Sequence, residues 1–110
     1  MIEQLFELSG GEERTVTKIA EDENMQLFRM VFHQNEGLPP HITDTFLYLA
    51  VMRGTLSITV GRQKPHEYVF GCLLKIPKKT KIRVINLYED VLEIIVAKYP
   101  KSPHEYQETY

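Results

Sequence analysis

The stretch Gly37-Leu-Pro-Pro-His-Ile-Thr-Asp-Thr-Phe-Leu-Tyr-Leu-Ala-Val-Met-Arg-Gly54 decides how this chain is read. Pro39 and Pro40 stiffen its start and remove two backbone donors, so they cannot lie inside a central ladder. His41 follows at once. The apolar run from Phe46 to Met52 is rich in aromatic and aliphatic residues and closes on Arg53-Gly54. That composition and that ending describe a buried strand entering a tight turn. Beyond it, Thr55-Leu56-Ser57-Ile58-Thr59-Val60 alternates polar and apolar residues with period two, the pattern of a half-buried strand. A stiff entry, one imidazole and a hairpin suit the placing of one ligand-reading side chain inside a β-barrel.

Outward from this stretch the chain keeps the same rhythm. On the N-terminal side, Ile2 to Leu8 fits a short strand or a helical turn, and Ser9-Gly10-Gly11 is a turn signal. Thr15 to Ala20 reads as a strand, Glu21 to Asn24 as a polar turn, and Met25 to His33 as the return strand. Phe28, Met30 and Phe32 share one face of that strand; Leu27, Arg29, Val31 and His33 share the other. Both faces carry apolar residues, so alternation alone does not say which looks inward. On the C-terminal side, Gly61 to Pro65 is a loop and His66 to Phe70 leads to Gly71. Leu73 to Ile76 is an apolar run that Pro77 stops. Lys81 to Leu87 alternates charged and apolar, Tyr88-Glu89-Asp90 turns the chain, and Val91 to Ala97 is the last strong strand. The tail from Tyr99, with Pro100 and Pro103, is expected to be irregular. Many short strands separated by turn signals indicate a sandwich or barrel, and a jelly roll manages the strand edges of such a chain.

Two stretches carry a resemblance to the cupin family. Its first motif has the form G-x5-H-x-H-x(3,4)-E-x6-G; His41 fits the first histidine and Gly54 the closing glycine. Its second motif, G-x5-P-x-G-x2-H-x3-N, is matched in register by Gly71, Pro77 and Asn86. The resemblance spans roughly residues 25 to 98. It implies an all-β fold, the cupin-type double-stranded β-helix or jelly-roll barrel, in a single domain over residues 1–110. It also implies a homodimer in which the sheets of two barrels pair.

The departures from the motifs bear on chemistry. The second histidine position holds Thr43, the glutamate position Leu47 (Tyr48 with the longer spacing), and the second-motif histidine position Ile82. Lys79 replaces the glycine after Pro77. Of the family's metal-binding positions only His41 keeps its residue. A divalent first-row metal wants several imidazole or carboxylate ligands converging on one point. One histidine, a threonine hydroxyl and two aliphatic side chains do not supply that, so neither metal nor other cofactor is expected.

Composition agrees with one soluble globular domain. The 110 residues are 43% hydrophobic and 25% charged, and the net charge of −2 gives no general attraction to nucleic acid. Cys72 is the single cysteine and cannot form an intramolecular disulfide, which suits a reducing, cytoplasmic setting. It reads more simply as a small buried hydrophobe than as a nucleophile. The start lacks a basic segment followed by an apolar one, so no signal peptide is expected. No apolar stretch approaches the roughly 20 residues needed to span a membrane.

In the register that the motifs set, Thr43, Leu47, Leu49 and Val51 share a face with His41, as do Ile82, Val84 and Asn86 on a later strand. That lining is mostly apolar with a few polar groups, which suits a small, partly apolar organic ligand and equally a filled barrel. The expected ligand-binding set is His41, Thr43, Leu47, Tyr48, Ile82, Val84 and Asn86, with His41, Thr43 or Tyr48 orienting the ligand. Lys75, Lys78, Lys79, Lys81 and Arg83 form the densest basic run, either a solvated turn or an anion-attracting rim. His33, His66 and His104 fit no ligand spacing with one another. Tyr99, Tyr106 and Tyr110 are suited to covering an apolar edge in this subunit or a partner. No Ser-His-Asp order, glycine-rich phosphate loop or paired metal motif is present. The leading expectation is therefore a metal-independent small-molecule-binding module. The alternative is a cupin-class enzyme, an isomerase, epimerase or metal-dependent dioxygenase, acting through His41.

Overall fold

A computed structural model describes residues 2–8 and 11–101. Among them nine strands form and no helix does: β1 (Thr15–Glu21), β2 (Gln26–Phe32), β3 (Gly37–Ile42), β4 (Phe46–Arg53), β5 (Thr55–Val60), β6 (His66–Val69), β7 (Leu73–Ile76), β8 (Lys81–Ile85) and β9 (Leu92–Tyr99). They make two antiparallel sheets, one of order β1-β2-β9-β4-β7 and one of order β3-β8-β5-β6. The expected all-β, jelly-roll architecture is what forms. Ile2 to Leu8 forms neither strand nor helix. The expectations for Ser9-Gly10 and for the tail with Pro103, His104, Tyr106 and Tyr110 lie outside the described residues.

The strand alternation is resolved by the core. Phe28, Met30 and Phe32 point inward from β2, Leu47, Leu49 and Val51 from β4, and Leu92, Ile94 and Val96 from β9; all are buried. Leu38, Leu56, Ile58, Ile82 and Val84 meet them from the second sheet. Each large apolar side chain so buried contributes about 1.5–3 kcal/mol. The outer face of β2 is buried for a different reason. Arg29 donates through Nε to Glu93 Oε2 at 2.8 Å and through its guanidinium to Gly11 O at 3.0 Å. Arg53 pairs with Glu12 across the same surface. These pairs hold the N-terminal segment over the sheet, and Val31 lies beneath it, fully buried within its own chain.

Both prolines sit within β3, which is possible because β3 is the edge of its sheet. The β3–β8 register shifts between Leu38 and His41, where the two prolines supply no ladder donors. Gly37, at the start of β3, is required by a close approach: a Cβ there would lie 2.0 Å from the carbonyl oxygen of Val84. Gly54, between β4 and β5, has φ +78 and a Cβ there would meet Val91 O at 2.3 Å, so this turn needs glycine on both counts.

The registers fix what lies at each end of the barrel. Gln26 pairs with Lys98, Lys98 with Leu47, and Leu47 with Ile76, giving one continuous row across the first sheet. Residues 43–45 join β3 to β4 at this end, and residues 77–80 join β7 to β8 there. His41 and Ile82 are therefore at this end as well. Phe32, Asn35, Asn86 and Leu92 lie at the other.

Candidate functional site

His41 stands at the end of the proline-stiffened edge strand. It pairs with Ile82, so the two side chains leave the sheet on the same side, and Ile82 is in the core. The imidazole is half-buried, and its Nδ1 lies 3.0 Å from Pro39 O. A carbonyl only accepts, so Nδ1 carries the proton in this contact. The proline-stiffened strand sets the place of His41, and Pro39 O orients its ring.

Thr43 is brought to the same end, in another role. Its hydroxyl donates to Pro77 O at 2.8 Å and accepts from Thr80 N at 3.0 Å. Two backbone bonds, Thr43 N to Thr80 O and Lys79 N to Thr43 O, complete a staple between the β3–β4 and β7–β8 connections. Leu47 and Ile82 are each 2% exposed and fill the barrel interior at this level. Val84 is buried one step deeper, paired with Leu38 and Ile58.

Two expected members of the lining are elsewhere. Tyr48 follows the opposite phase from Leu47, pairs with Lys75 and Ala97, and is 38% exposed on the outer face of the first sheet. Strand alternation sends it away from His41 whichever motif spacing is chosen. Lys75 Nζ lies 5.7 Å from its ring centroid, a cation–π contact on the outside. Asn86 is completely buried but at the far end of the barrel. Its Nδ2 donates to Phe32 O at 3.0 Å and Asp90 O at 2.8 Å, and its Oδ1 accepts from Tyr88 N at 3.0 Å. It ties β2 to the β8–β9 connection and does not face His41.

The residues present do not fit a cupin-type metal. The Thr43 hydroxyl is already used twice by backbone groups, and Leu47 and Ile82 offer no donor atom. Among the described residues no three His, Cys, Asp or Glu side chains are grouped to hold a metal ion.

Polar groups that sequence reasoning missed lie at the His41 end. Lys98 continues the inward phase of Leu92, Ile94 and Val96, and its side chain is 7% exposed. Its ammonium lies 3.7 Å from Asp44 Oδ1 and 6.0 Å from the Phe28 ring centroid. Burial pushes the Lys98 ammonium below its ordinary pKa, and Asp44 opposes that shift. Gln26 continues the inward phase of Phe28, Met30 and Phe32 and is 1% exposed. Its Nε2 donates to Glu21 Oε2 at 2.7 Å, while its Oε1 has no partner among the described residues. The hydrogen bond from Gln26, then that from Lys101, holds the Glu21 carboxyl down to about 2. The signal in the sequence was a polar residue landing on the inward phase of two otherwise apolar strands. The basic turn with Lys78 and Lys79 is at this end too, and Lys78 covers the Phe46 ring from outside.

The two facing antiparallel sheets have the architecture of the double-stranded β-helix found in small RmlC-like cupins. A crystal structure of an RmlC-like cupin family protein from Methanocaldococcus jannaschii matches it with a TM-score of 0.84 and 29% identity, covering 91% of this chain and 93% of that one. The same M. jannaschii protein, described as uncharacterized, is 29% identical over 101 residues, which is 91% of this chain and 87% of the relative. A cupin superfamily protein from Desulfitobacterium hafniense shares the fold at a TM-score of 0.71 and 12% identity, over 84% of this chain and 83% of that one. No protein-family model matches the chain.

Proposed function

We propose that this cupin is a metal-independent module that binds a small organic molecule at the His41 end of its barrel. The observation that carries the reading is the mixed character of that end. His41 presents an oriented imidazole beside a wall of Leu47 and Ile82, and inward-facing Lys98 and Gln26 stand at the level of Leu47. A few placed polar groups on an apolar surface are the ordinary make-up of a small-molecule site. Of the lining inferred from sequence, His41, Leu47 and Ile82 stay in this proposal, Thr43 supports it through its staple, and Val84 forms its floor. Titration of hits from a metabolite library against wild type and His41→Ala tests it. The expected result is a binder whose affinity falls about tenfold in the variant, the worth of one hydrogen bond to a charged or strongly polar group. No binder at millimolar concentration, or equal affinity in a folded His41→Ala protein, overturns it.

The same reading places the chain in the cytoplasm as a single domain that pairs with a second copy and does not engage nucleic acid. Its single cysteine and net charge of −2 support the setting. Among the described residues no helix is long and apolar enough to cross a membrane. For the homodimer the support is the outer face of the first sheet. Tyr48, Met52 and Leu73 are exposed there, with half-buried Ala50 and Ile95 between them. This apolar strip on the β4–β7 side fits an isologous contact between like sheets. The outer face of β2 contributes nothing to it at Val31, which the N-terminal segment covers.

A further inference from the structure

The two edges of the larger sheet carry opposite charge. Residues 1–24 hold seven acidic side chains and two basic ones, while residues 68–88 hold five basic side chains and no acidic one. The first stretch supplies β1 and the N-terminal segment, and the second supplies β7, so the order β1-β2-β9-β4-β7 sets them on opposite edges. The charges also share a level. Ala20, Leu27, Ala97, Tyr48 and Lys75 pair in one row across the sheet. Gln4 and Phe6 line a cavity with Ala20 and Leu27, which puts Glu3 and Glu7 at the β1 end of that row. Lys75 stands at the other end, and Lys78 shares the Phe46 ring with it. Among the described residues, none of Glu3, Glu7, Lys75 and Lys78 makes an ion pair.

Height divides the outer face in the same way. The N-terminal segment lies over the β1–β2 side and leaves Ile2, Leu5, Phe6 and Leu8 exposed on top of it. On the β4–β7 side, Tyr48, Met52 and Leu73 are themselves exposed. A raised apolar half and a bare apolar half thus flank β9, the central strand. Two copies can stack such faces about a two-fold axis in two ways. With the axis across the strands, raised half meets raised half and acidic edge meets acidic edge. With the axis along β9, each raised half fills the bare half of the partner. Levels along the strands are then kept, so Glu3 and Glu7 reach the partner's Lys75 and Lys78. Opposed like charges disfavour the first arrangement, and complementary charges fix the second.

We propose that the bare β4–β7 strip seats the N-terminal segment of a second copy, in a dimer whose two-fold axis runs along β9. Leu5 and Phe6 pack against the partner's Tyr48, Met52 and Leu73, and Glu3 and Glu7 pair with the partner's Lys75 and Lys78. This rests on the homodimer reading and adds the orientation and the residues that select it.

The test is sedimentation equilibrium of the full chain at low salt, with charges reversed. Glu3→Lys with Glu7→Lys, and separately Lys75→Glu with Lys78→Glu, should each weaken the dimer about tenfold or more, because the two-fold axis repeats every lost pair. All four reversals in one chain should restore the wild-type affinity to within about threefold, the signature of directly coupled sites. Leu5→Glu should also dissociate the dimer. If a reversed chain does not fold, as read by circular dichroism, Leu5→Glu decides alone, since one protomer leaves Leu5 68% exposed and does not need it to fold. Reversals that leave the dimer unchanged, or a fourfold reversal as weak as either pair, overturn the inference. A dimer broken by Leu73→Glu but indifferent to Leu5→Glu and to the reversals sinks this arrangement and keeps the homodimer. A monomeric wild type at micromolar concentration sinks both.

Discussion

Replacing Asn86 with alanine removes a strut and leaves the proposed site untouched. The side chain is completely buried, and it spends two donors and one acceptor on Phe32 O, Asp90 O and Tyr88 N. Each such bond contributes about 0.5–1.5 kcal/mol net, and of the main-chain partners left behind Phe32 O is in the interior while Asp90 O and Tyr88 N are nearer solvent. The expected loss is about 2–4 kcal/mol, or on the order of 10–20 °C in melting temperature for a domain of this size. Urea denaturation should show it as a lower midpoint with an unchanged slope. Asn86→Asp sharpens the test. Its carboxylate still accepts from Tyr88 N but sets negative charge against two carbonyl oxygens, so at pH 7 it should be worse than alanine. Its carboxyl pKa is then raised in the folded state, so stability should recover as pH falls and the group protonates. A loss below about 0.5 kcal/mol in Asn86→Ala, or equal losses in the two variants, refutes the hydrogen-bond account. Changed ligand affinity in folded Asn86→Ala would contradict its placement at the far end of the barrel.

Glu21 supplies a pH signature: its carboxyl is held down to about 2, first by Gln26 and then by Lys101. Its contribution is complete above the ordinary carboxylate value of 4.5 and is lost as pH falls toward about 2; in Gln26→Leu the carbon-13 titration of Glu21 should move upward, and an unmoved midpoint would contradict the pairing. For assembly, light scattering at micromolar concentration is expected to give twice the 12.9 kDa chain mass, and Leu73→Glu should return it to the monomer; a monomeric wild type sinks the dimer. Elemental analysis of purified protein is expected to find no stoichiometric transition metal, and about one Fe, Mn, Ni or Zn per chain, lost on His41→Ala, would refute the reading of Thr43, Leu47 and Ile82.

The strand plan was legible because its signals are local. Prolines, glycines and period-two alternation put strands at Phe46 to Met52, Thr55 to Val60 and Lys81 to Leu87, close to the observed β4, β5 and β8, without help from tertiary contacts. Which face of β2 looked inward was not legible. Arg29 and Val31 are buried by an N-terminal segment that no periodicity reveals. Tyr48 was misplaced by weighing motif spacing above strand parity, since neighbours on a strand cannot share a face. Asn86 shares the inward phase of Ile82 and Val84, so parity alone did not reveal that the run along β8 carries it to the other end of the barrel. Lys98 and Gln26 were missed although their phase was readable. A polar or charged residue at the end of an apolar strand is ordinarily solvated, and only the ladder showed that two such residues are paired.

Strand β9, Leu92–Tyr99, lies between β2 and β4 in the middle of the larger sheet. Every other strand of that sheet is made before it. Until residues 92–99 leave the ribosome, β2 and β4 have an open edge toward each other, and the inner faces of Met30 and Leu49 have no cover from Ile94 and Val96. The β1–β2 hairpin and the strands from β3 to β8 can form early, but the larger sheet cannot be joined. Folding of this chain is therefore dominated by late, distant pairings, which places it among the slower small domains, on the order of milliseconds to seconds. The nascent chain carries two unpaired strand edges through that interval, and it is then that a chaperone has something to hold.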